Sequence, residues 1–499
     1  MRRFTSRVAL ILSALVVLSL GGAAAVPAPV EPPWQATEAQ TAAVRWTPCP
    51  QDAAVQCTTV AMPVDWAQPD GPSFPLAVAR RRATDLARRV GVLVLNPGGP
   101  GGSGVDFAVG ADQRLDPELL ERFDIIGFDP RGIGESSPVR CSQDLLGRVP
   151  TETVGDQAGF DRLAAYNREL RADCRKLTGP LFDHVDTLSV ARDVDSLRQA
   201  LGEDKISYFG QSYGTLIGQQ YAEQFGGHIH TMVLDGNMDH SLDARGYLAT
   251  GAAAVEDSLH EFAAWCARDA KCPLRGQNVM SLWDSYASAA ERGALTDSVT
   301  GDSQSLSDLV SHTYGSLSGN DWAELSSWLA GLRATPAPVE PEPQETEPTP
   351  PGALRPTPPS AVICEDWRLR PHNYAELQTL AQAERQAAPH ARYSDENRNN
   401  LLSCVGWPDQ VANPEHPLRF AADTPRVLLV NGLHDPTTGY QWAQDVHRQT
   451  ADKTTLLTYE GWGHVAYWRS GCVRASVDSY LVDGTLPTDL RCPAEFREP

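Results

Sequence analysis

Gly210-Gln211-Ser212-Tyr213-Gly214 has the form G-x-S-x-G, which sets a serine on a sharp strand-to-helix turn, its hydroxyl exposed and flanked by glycines that relieve crowding. A serine hydroxyl is a poor nucleophile at neutral pH, so a base must lie within hydrogen-bond reach, carried by a loop later in the chain. Twelve histidines compete for that role. His464, in Gly461-Trp462-Gly463-His464, directly follows the apolar stretch Thr454 to Tyr459 and is the candidate base. His228 and His230 follow a helix end, and His312, His372, His390 and His416 fall in cap or loop sequence, where surface or capping roles suit them better. The third member must be a carboxylate that fixes the imidazole tautomer, placed between serine and histidine in chain order. Asp435, in Asn431-Gly-Leu-His-Asp435-Pro436, fits that place; the rival Asp235, in Leu234-Asp235-Gly236, reads as a turn cap.

Acyl transfer also needs backbone donors aimed at the developing oxyanion. Pro97-Gly98-Gly99-Pro100-Gly101 offers amides unobstructed by side chains, and Gly99 and Tyr213 are the candidate donors. A phosphate cradle is the competing reading of this loop, but it lacks both the Gly-Lys-Ser/Thr ending and the G-x-G-x-x-G spacing of nucleotide loops.

The elements that must hold these residues alternate along the chain. Val90 to Leu95, Phe123 to Phe128, Ile206 to Phe209, Thr231 to Leu234, Arg426 to Val430 and Thr454 to Tyr459 are short apolar runs, several ending in turn-rich sequence. Thr187 to Leu201 repeats apolar residues at helical spacing, with Thr187 as N-cap and Gly202 as stop. Thr215 to Phe225 and Gly439 to Gln449 are further helices. The pattern predicts an α/β fold with a mostly parallel sheet covered on both faces. The catalytic core occupies 41–238 and 425–499, and 239–424, with helical segments such as Ala253 to Ala267 and Asp321 to Leu332, is an inserted, mainly helical cap. Ala334 to Pro359 is dominated by Pro, Glu and Thr and reads as a mobile acidic loop; a proline-rich recognition motif is the alternative.

Arg2 and Arg3, the apolar run Val8 to Leu20 and small residues through Ala25 form a secretory signal, 1–25, followed by a disordered stretch, 26–40. The run is roughly a dozen residues against the ~20 needed to span a bilayer, so stable membrane insertion is not expected, an uncleaved anchor being the alternative. Ten cysteines suit an oxidising compartment. The simplest pairing joins Cys49 with Cys57, Cys141 with Cys174, Cys266 with Cys272, Cys364 with Cys404 and Cys472 with Cys492, each closing a short loop; no C-x-x-C pair points to zinc. A formal charge of -21 argues against nucleic acid and anionic membranes as partners.

Taken together, Asn96-Pro-Gly-Gly-Pro-Gly-Gly-Ser-Gly104, Asp129-Pro-Arg-Gly-Ile-Gly-Glu-Ser136, the Ser212 motif through Thr215, Asp435-Pro-Thr-Thr438 and Gly461-Trp-Gly-His464 resemble the secreted tripeptidyl aminopeptidases of actinomycetes. Trp46-Thr-Pro-Cys49, Val64-Asp65 and Ile363-Cys-Glu-Asp-Trp367 extend the resemblance over nearly the whole mature chain. It implies an α/β-hydrolase fold with a cap, related to proline iminopeptidases, and hydrolysis of peptides from the free amino end, with Ser212, Asp435 and His464 at the triad positions. The length of the acidic insert and Phe225-Gly-Gly227, where the family has Phe-Pro, depart from it. An aminopeptidase must hold the substrate ammonium, and Glu365 and Asp366 are candidates by position. No metal or organic cofactor is implied. A secreted esterase or lipase with the same triad is the alternative, as is a non-catalytic binding protein that kept the scaffold.

Overall fold

Aliphatic runs bounded by turn residues bury both their faces, and this puts them at the centre of a sheet rather than at its edge. In the computed structural model, which describes residues 44–150, 154–334, 354–356 and 360–495, Gly91–Asn96, Phe123–Phe128 and Ile206–Gln211 are such strands. The signal segment and the following stretch, 1–40, lie outside the described residues, as does most of the acidic insert.

Among the described residues the main sheet has ten strands. Thr47–Pro48, Gln56–Pro63 and Ser73–Arg81 pair antiparallel, and Ser73–Arg81 continues antiparallel onto Phe123–Phe128. From there every pairing is parallel, through Gly91–Asn96, Ile206–Gln211, Ile229–Asp235, Val427–His434, Thr454–Trp462 and Arg491–Cys492. Side chains of successive strand residues alternate between faces. Leu93 and Leu95 accordingly join one buried layer with Phe107 and Tyr480, and Val92 and Val94 join the other with Val194, Leu197 and Tyr221.

The helix Thr187–Leu201 has the expected bounds and ends on Gly202 at φ 74°. Its N-cap, however, is Asp186 rather than Thr187: the Asp186 carboxylate accepts the Ser189 amide at 2.8 Å. Both residues are competent caps, but Thr187 is drawn away because its amide and hydroxyl bond Asp366 at 2.9 and 2.6 Å. Between strands Ile229–Asp235 and Val427–His434 the chain forms the cap, with helices Ala244–Arg268, Val279–Glu291, Leu306–Gly319, Trp322–Gly331, Ser360–Asp366, Tyr374–Ala387 and Asp395–Cys404. Phe262, Trp265, Trp283, Trp322 and Leu325 build its own core. Within the acidic insert Leu354–Pro356 is not loop: its backbone pairs antiparallel with Arg140–Ser142. Five disulfides join the cysteine pairs expected from their spacing. Among the described residues no helix is long and apolar enough to cross a membrane.

Arg131 ties the antiparallel front of the sheet to helix Thr187–Leu201. Its guanidinium is wholly buried and bonds Asp193 twice, at 2.7 and 2.6 Å, while donating to the carbonyls of Val64, His184 and Pro63 at 2.9, 2.9 and 3.1 Å. Removing one partner of a buried pair strands the other charge. Arg131→Met should lower stability by ~3–5 kcal/mol in chemical denaturation, and adding Asp193→Leu to it should recover part of that loss.

Candidate active site

The buried strand Ile206–Gln211 runs straight into helix Tyr213–Phe225, and Ser212 occupies the junction at φ 54° and ψ -127°. Two positions to either side of it only glycine fits. A Cβ on Gly210 would stand 2.4 Å from the Gly214 carbonyl oxygen, and one on Gly214 would stand 2.6 Å from Asn96 Oδ1. The turn is held by the Ser212 amide on the Asp235 carbonyl at 2.9 Å, and by the Tyr208 hydroxyl on the Gly214 carbonyl at 2.7 Å.

His464 follows strand Thr454–Trp462, and its ring lies against Gly236, the residue after the carbonyl that Ser212 bonds. Its Nδ1 is 2.9 and 3.1 Å from the two oxygens of Asp435. Asp435 is buried and its oxygens also accept the Thr437 amide at 2.8 Å, the Thr438 amide at 3.0 Å and the Thr438 hydroxyl at 2.9 Å. A carboxylate so supplied with donors keeps the proton on Nδ1 and leaves Nε2 to accept one; Nε2 is buried and has no hydrogen-bond partner among the described residues. Burial opposes charge on this ring, but Asp435, with help from Glu396 and Asp235, outweighs it and raises the His464 pKa above its ordinary value.

Asp235 does not cap its own turn. Its buried carboxylate accepts the amides of Ala466 and Tyr467 at 3.0 and 2.8 Å, clamping the turn that follows His464. One residue thus holds both loops, its carbonyl fixing Ser212 and its side chain fixing the histidine segment. Burial pushes its pKa up to about 7, against the pull of the two amides.

The glycine-rich loop packs on the nucleophile turn: a Cβ on Gly98 would meet the Gln211 carbonyl oxygen at 2.4 Å and the Tyr213 nitrogen at 2.8 Å. The Gly98 amide is consumed by Asn96 Oδ1 at 3.0 Å. The amides of Gly99 and of Tyr213, the first residue of its helix, have no partner among the described residues. Asp129 anchors the far end of the loop, accepting the Ser103 hydroxyl at 2.7 Å and the Val105 amide at 3.2 Å.

Glu365 and Asp366 end a buried helix, and neither bonds the Ser212, Asp435 or His464 side chain. Asp366 accepts from Thr187 twice, from Asn413 Nδ2 at 2.8 Å and, in a very short bond, from the Tyr213 hydroxyl. Its acceptor capacity is therefore used within the protein, and its work is to hold Tyr213 and the start of helix Thr187–Leu201. Glu365 lies 4.0 Å from Arg171, with its pKa raised to about 7 by burial against the pull of Arg171 and Arg370.

A carboxylate that the sequence reading passed over sits closer to the triad. Glu396 accepts the Tyr314 hydroxyl at 2.5 Å, and that hydroxyl lies 3.1 Å from Thr437 Oγ1, so a chain of polar contacts runs from Glu396 to the loop that cradles Asp435. Its other oxygen has no partner among the described residues. Burial raises its pKa, while Tyr314 and His464 pull it down. Its helix, Asp395–Cys404, carries no motif; only the packing of the cap reveals the proximity.

Comparison with known proteins follows the same lines. The family described as alpha/beta hydrolase fold matches residues 91–470. Serine protease Hip1 of Mycobacterium tuberculosis is 32% identical over 478 residues, covering 89% of each chain. Carboxylesterase B of the same organism is 34% identical over 473 residues, covering 88% of this chain and 86% of its own. Tripeptidyl aminopeptidase of Streptomyces lividans is 29% identical over 476 residues, covering 92% and 88%.

Because a general base acts only when neutral, kcat/KM should rise with pH along a limb whose midpoint lies above the ~6.5 of an unperturbed histidine. Activity is then present above that midpoint and lost as pH falls through it. In Asp435→Asn the limb should move to lower pH and the rate fall by roughly 10³–10⁴-fold, as read from pH–rate profiles of both proteins.

Proposed function

This chain belongs to the α/β-hydrolase family and is a serine hydrolase, and from that premise we propose that it is a secreted peptidase releasing short peptides, tripeptides foremost, from free amino ends. In this reading Ser212 Oγ attacks the peptide carbonyl and His464 Nε2 takes its proton, while Asp435 keeps Nδ1–H aligned. The amides of Gly99 and Tyr213 receive the oxyanion. His464 then passes its proton to the leaving amine, and water, activated by the same base, releases the acyl-enzyme. Secretion is supported by the five disulfides and by the signal-like first residues.

The observation that carries the exopeptidase reading is Glu396. A half-buried carboxylate with one oxygen unengaged among the described residues, electrostatically felt by His464, is suited to a substrate ammonium, whose charge would hold it ionised. It takes the role first considered for Glu365 and Asp366. The kinship to a protein named carboxylesterase B favours the second reading, an esterase with the same triad.

Tripeptide amides with free and with blocked amino ends, together with a simple activated ester, separate these readings. The peptidase should cut the amino-free peptides and the activated ester but not the blocked peptides, and Ser212→Ala should abolish turnover of every substrate; hydrolysis of the ester but of neither peptide would establish the esterase. Glu396→Gln should raise KM for amino-free peptides ~10–100-fold, the worth of one charge-assisted hydrogen bond, and leave ester hydrolysis nearly unchanged.

A further inference from the structure

On the cap, helix Ala244–Arg268 presents Glu256 and His260 one turn apart on a single face, and His390, in the turn between helices Tyr374–Ala387 and Asp395–Cys404, meets them there. The donor atoms of the three lie within 4.8 Å of one another. His260 Nε2 stands 3.4 Å from Glu256 Oε1. The edge of a tetrahedron around an ion with bonds of ~2.0–2.1 Å is about 3.3 Å. The two imidazoles are 5.5 Å apart and nearly perpendicular, so their nitrogens can converge without stacking.

The surroundings are arranged as those of a metal site are. His390 Nδ1 lies 2.9 and 3.0 Å from the oxygens of Asp284, which leaves Nε2 as the outward donor. Asp284 is also 3.7 Å from Arg392, whose charge balances it. Glu256 is buried, and Oε2 accepts the amides of Ala391 and His390 at 2.7 and 3.1 Å, the His390 amide lying a longer 3.3 Å from Oε1; this orients the carboxylate with Oε1 beside His260. Burying a carboxylate costs free energy unless it is paired or bound to a metal, and no Lys or Arg pairs with Glu256 among the described residues.

We propose that Glu256, His260 and His390 form a binding site for a divalent transition ion of the Zn²⁺ class, with water completing the coordination. Two nitrogens and one carboxylate oxygen select such ions over Mg²⁺ or Ca²⁺, which take oxygen ligands. The site is apart from Ser212, Asp435 and His464 and takes no part in acyl transfer. It clips the longest cap helix to the turn that leads into the helix of Glu396, closing the cap with a bond that none of the disulfides supplies. The inference stands independently of the peptidase reading.

The test uses tag-free full-length protein, stripped with chelator and titrated calorimetrically with Zn²⁺ alone. One equivalent should bind, and the thermal unfolding midpoint should rise with added Zn²⁺. His260→Ala changes an exposed residue that packs no core and should retain ester hydrolysis while weakening Zn²⁺ binding at least tenfold. Asp284→Asn, which removes the carboxylate that orients His390 and leaves all three ligands in place, should weaken it ~10–100-fold. Absence of binding to the stripped protein, or binding of equal strength in His260→Ala and His390→Ala, would overturn the proposal.

Discussion

A serine held at positive φ at the end of a buried strand is the constraint around which this protein is organised. Such a backbone costs on the order of 1–3 kcal/mol and persists only where its surroundings over-determine it. Here the flanking glycines let Asn96 and the Gly214 carbonyl close in, Tyr208 ties down the first helical turn, and the Asp235 carbonyl takes the Ser212 amide. Because the Asp235 carboxylate also secures the amides after His464, Ser212 and His464 hang from a single residue. Val465, beside the histidine, is also at positive φ (62°), so the turns that carry Ser212 and His464 both hold a strained non-glycine residue.

Carboxylates set the electrostatic character of the site. Asp235, Asp435 and Glu396 all act on the charge of His464, and together they outweigh its burial. Asp235 answers its burial with backbone amides and Asp435 with amides and the Thr438 hydroxyl, whereas the half-buried Glu396 has, among the described residues, only the Tyr314 hydroxyl and keeps one oxygen unspent. The difference separates carboxylates that position from one suited to bind.

The central parallel strands were legible because full burial leaves an uninterrupted apolar signature, as in Gly91–Asn96 and Phe123–Phe128. The antiparallel strand Gln56–Pro63 was not, since most of its side chains remain partly open to solvent and its apolar pattern is weak. The serine, aspartate and histidine candidates could be picked out because each follows a strand in a turn of distinctive composition. The double duty of Asp235 could not, because the amides it binds lie more than two hundred positions away in sequence. Glu396 escaped for the same reason: in Asp395-Glu-Asn-Arg-Asn it looks like one more solvated charge at a helix start, and only the fold of the cap lays it beside Tyr314. Asp186 and Thr187 show the limit of local rules, since a distant aspartate decided between two adjacent, equally able caps.

The cap helix Leu306–Gly319 does more than cover the site. The Ser318 carbonyl receives the His464 amide at 3.0 Å, Ser318 Oγ lies 3.0 Å from Thr437 Oγ1, and Arg469 reaches back to the carbonyls of Ser318 and Gly319 at 2.9 and 2.6 Å. The same helix end thus braces both the His464 turn and the Thr437 loop that cradles Asp435. A change that displaced this end of the helix would therefore be felt at His464 as well as in the cap, whereas cap surfaces that bear no such bonds can vary without moving the ring.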